Sequence, residues 1–159
     1  MEGLRVRYAD STLRLTSLDN VIVAAWFDAP VLDHMRVIDR QTRYMRREHD
    51  VGFVYVNVAV TGIPKFSKEV IDEIERMGKL VTERDLATAH VVLMNGLAGT
   101  AVRTFLSTAL LVSRPPEPNK VFADLTASVR WMLRFLTAAG HYVWTDERLL
   151  SFLQAAIQT

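Results

Sequence analysis

The chain has 159 residues, with 19 Lys plus Arg against 18 Asp plus Glu and a formal net charge of +1. At 50% hydrophobic and 23% charged residues it has the balance of a globular domain, and its near-neutrality gives no global pull toward nucleic acid or membrane. It has no cysteine, which excludes disulfides, thiolate catalysis, Cys-ligated zinc and iron–sulfur clusters.

In chain order, Leu4, Val6 and Tyr8 alternate with Arg5 and Arg7, the period of a half-buried strand. Asp10-Ser11 supplies a turn, and Leu13 and Leu15 alternate with Arg14 and Thr16. Asp19-Asn20 turns again into the apolar run Val21–Phe27. These three segments predict an antiparallel meander. The period then changes. Asp28 is the expected cap of a helix with Pro30 in its first turn and with Val31, Met35, Ile38 and Met45 on one face. The stretch VGFVYVNVAV at 51–60 is nearly continuous in β-formers, as in a central strand covered on both faces.

Ser67 is the expected N-cap of the next helix, whose stripe is Val70, Ile71, Ile74, Met77 and Val81. Ala89–Met94 predicts a short buried strand, and Asn95-Gly96 turns it into a helix over 97–112. Pro115, Pro116 and Pro118 stop that helix. Val121–Ala123 predicts a last strand, and Asp124 caps a helix that ends at Gly140. Thr145-Asp146-Glu147 opens a final helix. Strands alternating with helices imply parallel crossovers. The expected fold is one α/β domain over residues 1–159, an antiparallel meander continued by parallel β-α units in a mixed sheet, with an extra C-terminal helix at about 145–158.

That order of elements resembles the STAS-like group of small bacterial domains, and within it the SpoIIAA-like branch, related in fold to the CRAL-TRIO domains. Three stretches carry the resemblance: strand 51–60 with the helix after Ser67, AHVVLMNG at 89–96, and KVFADLTASVRWML at 120–133. It spans about residues 12–136, so the first strand and the last helix are additions. It implies a non-catalytic regulatory or scaffolding module acting by protein–protein contact. The alternative implied by the CRAL-TRIO kinship is a domain that binds a small apolar ligand or lipid. The family's phosphorylated serine maps onto Ser67, the candidate phosphosite. Phe66 stands in place of the acidic residue before it, and Lys68 and Glu69 replace small residues after it. A capping role for Ser67 is therefore expected.

No enzyme is expected, and no cofactor or metal. His34, His49, His90 and His141 form no ligand-spaced pair, and neither a Gly-x-Ser-x-Gly nor a phosphate-binding Gly-Lys-Ser/Thr motif occurs. Asn95–Thr100 lacks the glycine fingerprint of a dinucleotide site. Two features point to partners. Arg36, Arg40, Arg43 and Arg47 fall in one helical stripe, a candidate surface for an acidic protein, although Asp33, Asp39, Glu48 and Asp50 share the segment. No aromatic stacking set accompanies the stripe, so nucleic acid is not expected. The helix at 97–112 has one charge, Arg103, and an all-round apolar helix is expected to be buried on more than one side. The sheet covers one side; a second subunit, the final helix or a ligand covers the other. A homodimer would use Val102, Phe105, Ala109 and Val112. The first residues, MEGLRVRY, do not read as a secretory signal, and Arg103 interrupts the most apolar stretch, so no membrane span and a cytoplasmic location are expected.

Overall fold

Residues 2–62, 65–141 and 143–158 are described by the computed structural model. The alternating apolar segments form β1 (Arg5–Ala9), β2 (Leu13–Leu18) and β3 (Val21–Trp26), an antiparallel meander. Next come α1 (Leu32–Glu48), β4 (Phe53–Ala59), α2 (Lys68–Gly78), β5 (Asp85–Val92), α3 (Gly96–Ser113) and β6 (Asn119–Phe122). The chain continues into α4 (Leu125–Ala138) and α5 (Asp146–Ala156). The six strands lie in chain order, antiparallel from β1 to β3 and parallel from β3 to β6. This is the mixed α/β sheet that the sequence implies.

Each parallel step moves the same way along the sheet. Right-handed crossovers therefore put α1, α2 and α3 on one face. Pleating divides each strand between two cores. Ile22, Ala24 and Phe53 meet Met35, Ile38 and Met45 of α1 and Val70 of α2. Val21, Val23, Val54, Val56 and Val58 meet Val129, Met132 and Leu136 of α4 and Leu149, Phe152 and Leu153 of α5. The nearly continuous apolar run of β4 follows from this double coverage.

Several expectations are corrected. Tyr8 does not share a face with Leu4 and Val6. The register shifts between Val6 and Tyr8, so Val6 pairs with Thr16 but Tyr8 with Leu15. This bulge turns Tyr8 toward α1 and leaves Val6 exposed. Asp28 does not cap α1, which begins at Leu32 after Val31, itself exposed. The imidazole Nδ1 of His34 instead accepts the Val31 N–H at 3.2 Å. On α2 only Val70 is buried, while Ile71 and Ile74 face outward and Val81 lies beyond the helix. β5 starts earlier than expected, at Asp85, because its first residues pair with Phe53 and Val54. β6 likewise starts at Asn119.

The C-terminal helix is built into the core rather than laid on it. Leu149, Phe152, Leu153 and Ala156 are fully buried. Trp144, just before α5, is tied to the meander through Asn20. The buried Asn20 accepts the Trp144 indole N–H at 2.9 Å and donates to the Gly52 carbonyl at 3.0 Å. One amide thus joins the β2–β3 turn, the approach to β4 and the C-terminal segment. Replacing Asn20 by Ala orphans both partners. At about 1–3 kcal/mol for each buried unpaired group, Asn20→Ala should lower the unfolding free energy by roughly 2–6 kcal/mol in urea titration.

Candidate functional site

Among the described residues α3 carries four of the exposed large apolar side chains, Leu97, Phe105, Leu111 and Val112. Its inner face is defined by Gly99, where β5 leaves the sheet. A Cβ on Gly99 would overlap the Met94 carbonyl, so only glycine lets the helix pass. From Gly99, helical spacing places Val102, Arg103, Leu106 and Leu110 on the sheet side. Arg103 points inward and donates to the Val92 and Met94 carbonyls, both at 3.3 Å. The outer face therefore has no charge. It presents Leu97 (91% exposed), Phe105 (55%), Leu111 (76%) and Val112 (80%) around Ala101, Thr104 and Thr108. Phe66, ahead of α2, stacks on Phe105 with ring centroids 6.0 Å apart.

Two expectations for this helix change. It is not buried on more than one side, since only Gly99 and Val102 are buried. Nor does the final helix cover it, because α5 packs on α4 and on the β2–β3 side of the sheet. Of the four residues expected at an interface, Phe105, Ala109 and Val112 are exposed, but Val102 is only 7% exposed and belongs to the inner face. Leu97 and Leu111 went unnoticed. Gly99 was the available signal, since a helical glycine at a strand exit marks the side that faces the sheet.

Among the described residues α3 is also the one helix long and apolar enough to cross a membrane by length and composition, with a mean hydropathy of 1.3 over 18 residues. Its connections argue against a crossing. It joins β5 to β6, which are hydrogen-bonded neighbours, and a spanning helix would put them on opposite sides of the bilayer.

Beneath the α2–α3 side runs a line of side chains across four strands. Trp26 Nε1 and Tyr55 Oη donate to Asn57 Oδ1, at 3.1 and 2.8 Å. Asn57 Nδ2 lies 3.4 Å from His90 Nδ1, and His90 Nε2 lies 2.9 Å from Asn119 Oδ1. Asn119 Nδ2 donates onward to the Glu117 carbonyl at 3.1 Å. With Asn57 donating to Nδ1, the proton of His90 sits on Nε2 and is given to Asn119. Burial pushes the His90 pKa down, opposed by the bond to Asn119. Burial pushes the Tyr55 phenol up, opposed by its bond to Asn57. Both nitrogens of His90 are committed, which leaves neither free as a base.

A second histidine is committed in the same way. His34 Nδ1 holds the Val31 N–H, so Nε2 carries the proton toward Asp10 Oδ2 at 2.8 Å. Partial burial opposes the charge on Asp10, but hydrogen bonds from Tyr8, Leu13, His34 and Thr12 hold its carboxyl well below the usual range. This Asp–His pair fastens the β1–β2 turn to the start of α1. Among the described residues no three His, Asp or Glu side chains converge as metal ligands.

Arg36, Arg40, Arg43 and Arg47 are all exposed on α1. Arg36 pairs with Asp33 and Arg43 with Asp39, each at 3.1 Å, and Asp39 also takes Arg76 at 2.9 Å. Arg40 and Arg47 make no ion pair among the described residues. Arg46, at the edge of the stripe, is bidentate to Asp85 with both contacts at 2.8 Å, which docks α1 to β5. Ser67 is exposed, and its Oγ accepts the Val70 N–H at 3.3 Å, the geometry of an N-cap.

Comparison of the chain with family models, with curated proteins and with solved structures finds no match.

The capping geometry predicts that Ser67→Ala costs about 1 kcal/mol of stability by thermal or urea unfolding, while Ser67→Asp, which can also cap, costs little. The neutral His90 predicts a pH effect of definite sign. A histidine whose folded pKa is depressed contributes stability that is full above its unfolded pKa, about 6.5, and declines as pH falls below it toward the folded value. His49 is also pushed down, by burial first and by His141 next, so the comparison is between wild type and His90→Gln. The variant should show a shallower loss of stability below about pH 6.5 in a pH series of urea titrations.

Proposed function

We propose that the protein is a non-catalytic regulatory or scaffolding module that works by protein–protein contact and assembles as a homodimer through the outer face of α3. The observation that carries this reading is a charge-free apolar helix face that the described residues leave exposed apart from the stacking of Phe66 on Phe105. Lone domains seldom leave such a surface in water. The absence of charge favours a second copy over a charged partner. In a two-fold contact each patch meets itself, so any net charge would be repelled, and inward-turned Arg103 removes the one charge that α3 has. Ala101, Thr104 and Thr108 are short enough for a twin helix to approach closely between Leu97 and Leu111.

The STAS-like resemblance points the same way, resting on the order of strands and helices. The apolar-ligand reading has less support, because side chains such as Phe53, Met45, Met132 and Phe152 fill both cores. An acidic partner on the α1 stripe also has less, since Arg36 and Arg43 already serve carboxylates on their own helix. A cytoplasmic setting suits a cysteine-free module of this kind.

Sedimentation velocity at micromolar concentration should give a dimer. Leu111→Glu with Val112→Glu touches only exposed positions, so circular dichroism should be unchanged. Dissociation should become easier by about tenfold or more, equivalent to at least 1.4 kcal/mol. A wild-type monomer overturns the reading, and a dimer untouched by the double change places the interface elsewhere. A monomer that instead partitions onto lipid vesicles through Leu111 and Val112 replaces the second copy with a membrane surface.

A further inference from the structure

β6 ends the sheet, with no strand beyond it among the described residues. Lys120 pairs with Ala89, which belongs to the core on the α4 side, so Lys120 and Phe122 face α4. Opposite them, α4 carries Arg130 and Arg134 one turn apart. With Ala127 and Trp131 these side chains line an open groove of about 450 Å³ beside the sheet edge. Phe122 and Trp131 form its floor, with ring centroids 5.5 Å apart, and Lys120 Nζ lies 5.6 Å from the Phe122 ring centre.

The charges of this groove are uncompensated. Neither β6 nor α4 contains an acidic residue, and Lys120, Arg130 and Arg134 make no ion pair among the described residues. On α1 and α2, by contrast, Arg36, Arg43, Lys68 and Arg76 all hold carboxylates. A near-neutral protein has here concentrated three free cations on an apolar floor, next to backbone groups that no strand of its own takes up.

We propose that this groove binds an acidic polypeptide segment in extended form, added as a further strand on the outer edge of β6 with its carboxylates over Lys120, Arg130 and Arg134. Edge backbone supplies affinity in this mode, and alternate side chains supply specificity. The spacings agree, since four helical residues advance about 6 Å and two strand residues about 6.6 Å, which lets alternate carboxylates keep step with successive arginines. Arginine also takes a carboxylate in bidentate fashion. A polypeptide fits better than a nucleic acid. Phe122 and Trp131 are each only 8% exposed, so their faces are closed to stacking bases, and an open strand edge is satisfied by another backbone. This site is separate from the outer face of α3 and does not depend on it.

Fluorescence anisotropy with a labelled alternating Glu-Val octapeptide tests the proposal on the full chain. Saturable binding that weakens as salt rises is expected. Arg130→Glu with Arg134→Glu should weaken it by about tenfold or more, the scale of 1.4 kcal/mol. The milder pair Arg130→Gln and Arg134→Gln guards against a folding defect and should weaken it less. Arg40→Glu with Arg47→Glu, on α1, should leave it intact, as should Leu111→Glu with Val112→Glu on α3. N-methylation of alternate peptide nitrogens should abolish binding in one phase and spare it in the other, because a strand presents only every second N–H to its neighbour. Absence of saturable binding overturns the proposal. So does undiminished binding by the charge-reversed pair, indifference to N-methylation in both phases, or preference for a single-stranded oligothymidine over the peptide.

Discussion

The strand order governs the rest of the structure. Because the six strands follow chain order, every parallel crossover steps outward in the same direction and lands on the same face. Three helices share that face, and the last must rest on the margin of the sheet. There the support is too small. A helix of 18 residues is about 27 Å long at 1.5 Å per residue, whereas a strand of four residues reaches about 13 Å. β6 alone therefore cannot back the whole of α3, and only Gly99 and Val102 of the helix are buried. Its place at the edge of the sheet leaves its outer, apolar side exposed.

The polar side chains inside the protein are mostly fasteners. Asn20 joins three segments, the Asp10–His34 pair holds a turn to a helix, and Arg46 joins α1 to β5. The line from Trp26 to Asn119 ties four strands together on the face that carries α2 and α3. In each case the donors and acceptors answer one another, so these groups fix the relative placement of elements. The surface features are of the opposite kind. The outer face of α3 and the groove beside β6 have unmet potential, one apolar and the other cationic, and both arise where the sheet runs out.

The fold was legible because its signals are periodic. Alternation in Leu13–Thr16, continuity in Phe53–Ala59 and capping residues at Ser67, Asp124 and Thr145 each state a local preference that the tertiary structure respects. Failures occurred where one residue changes the phase or where a neighbour decides. The bulge at Arg7 reverses Tyr8 without any mark in composition. The cap of α1 is a histidine reaching back from inside the helix, held there by Asp10 from a distant turn. The outward turn of Ile71 and Ile74 depends on where α2 meets α1, which periodicity does not contain. The groove beside β6 was hidden for a related reason. Lys120 lies ten residues from Arg130 in sequence, and only the return of α4 along the strand brings them together.

The placement of α4 and α5 also bears on how the chain is made. One whole face of the sheet is covered only by residues 125–156, the final stretch of the described chain. During synthesis, β2 to β5 emerge long before that cover exists, with Val21, Val23, Val54, Val56, Ala89 and Val91 on a bare apolar surface. Chains elongate at about 5–20 residues per second, and exposed apolar strands are the usual nuclei of aggregation. The strands can add in chain order, but the cover of this face is complete only when residues 125–156 have been made. In the folded protein Trp144 meets Asn20, and α5 lies on β2 and β3, strands made long before it. Until α4 and α5 have been made, the valines of β3 and β4 on that face have no helical cover among the described residues.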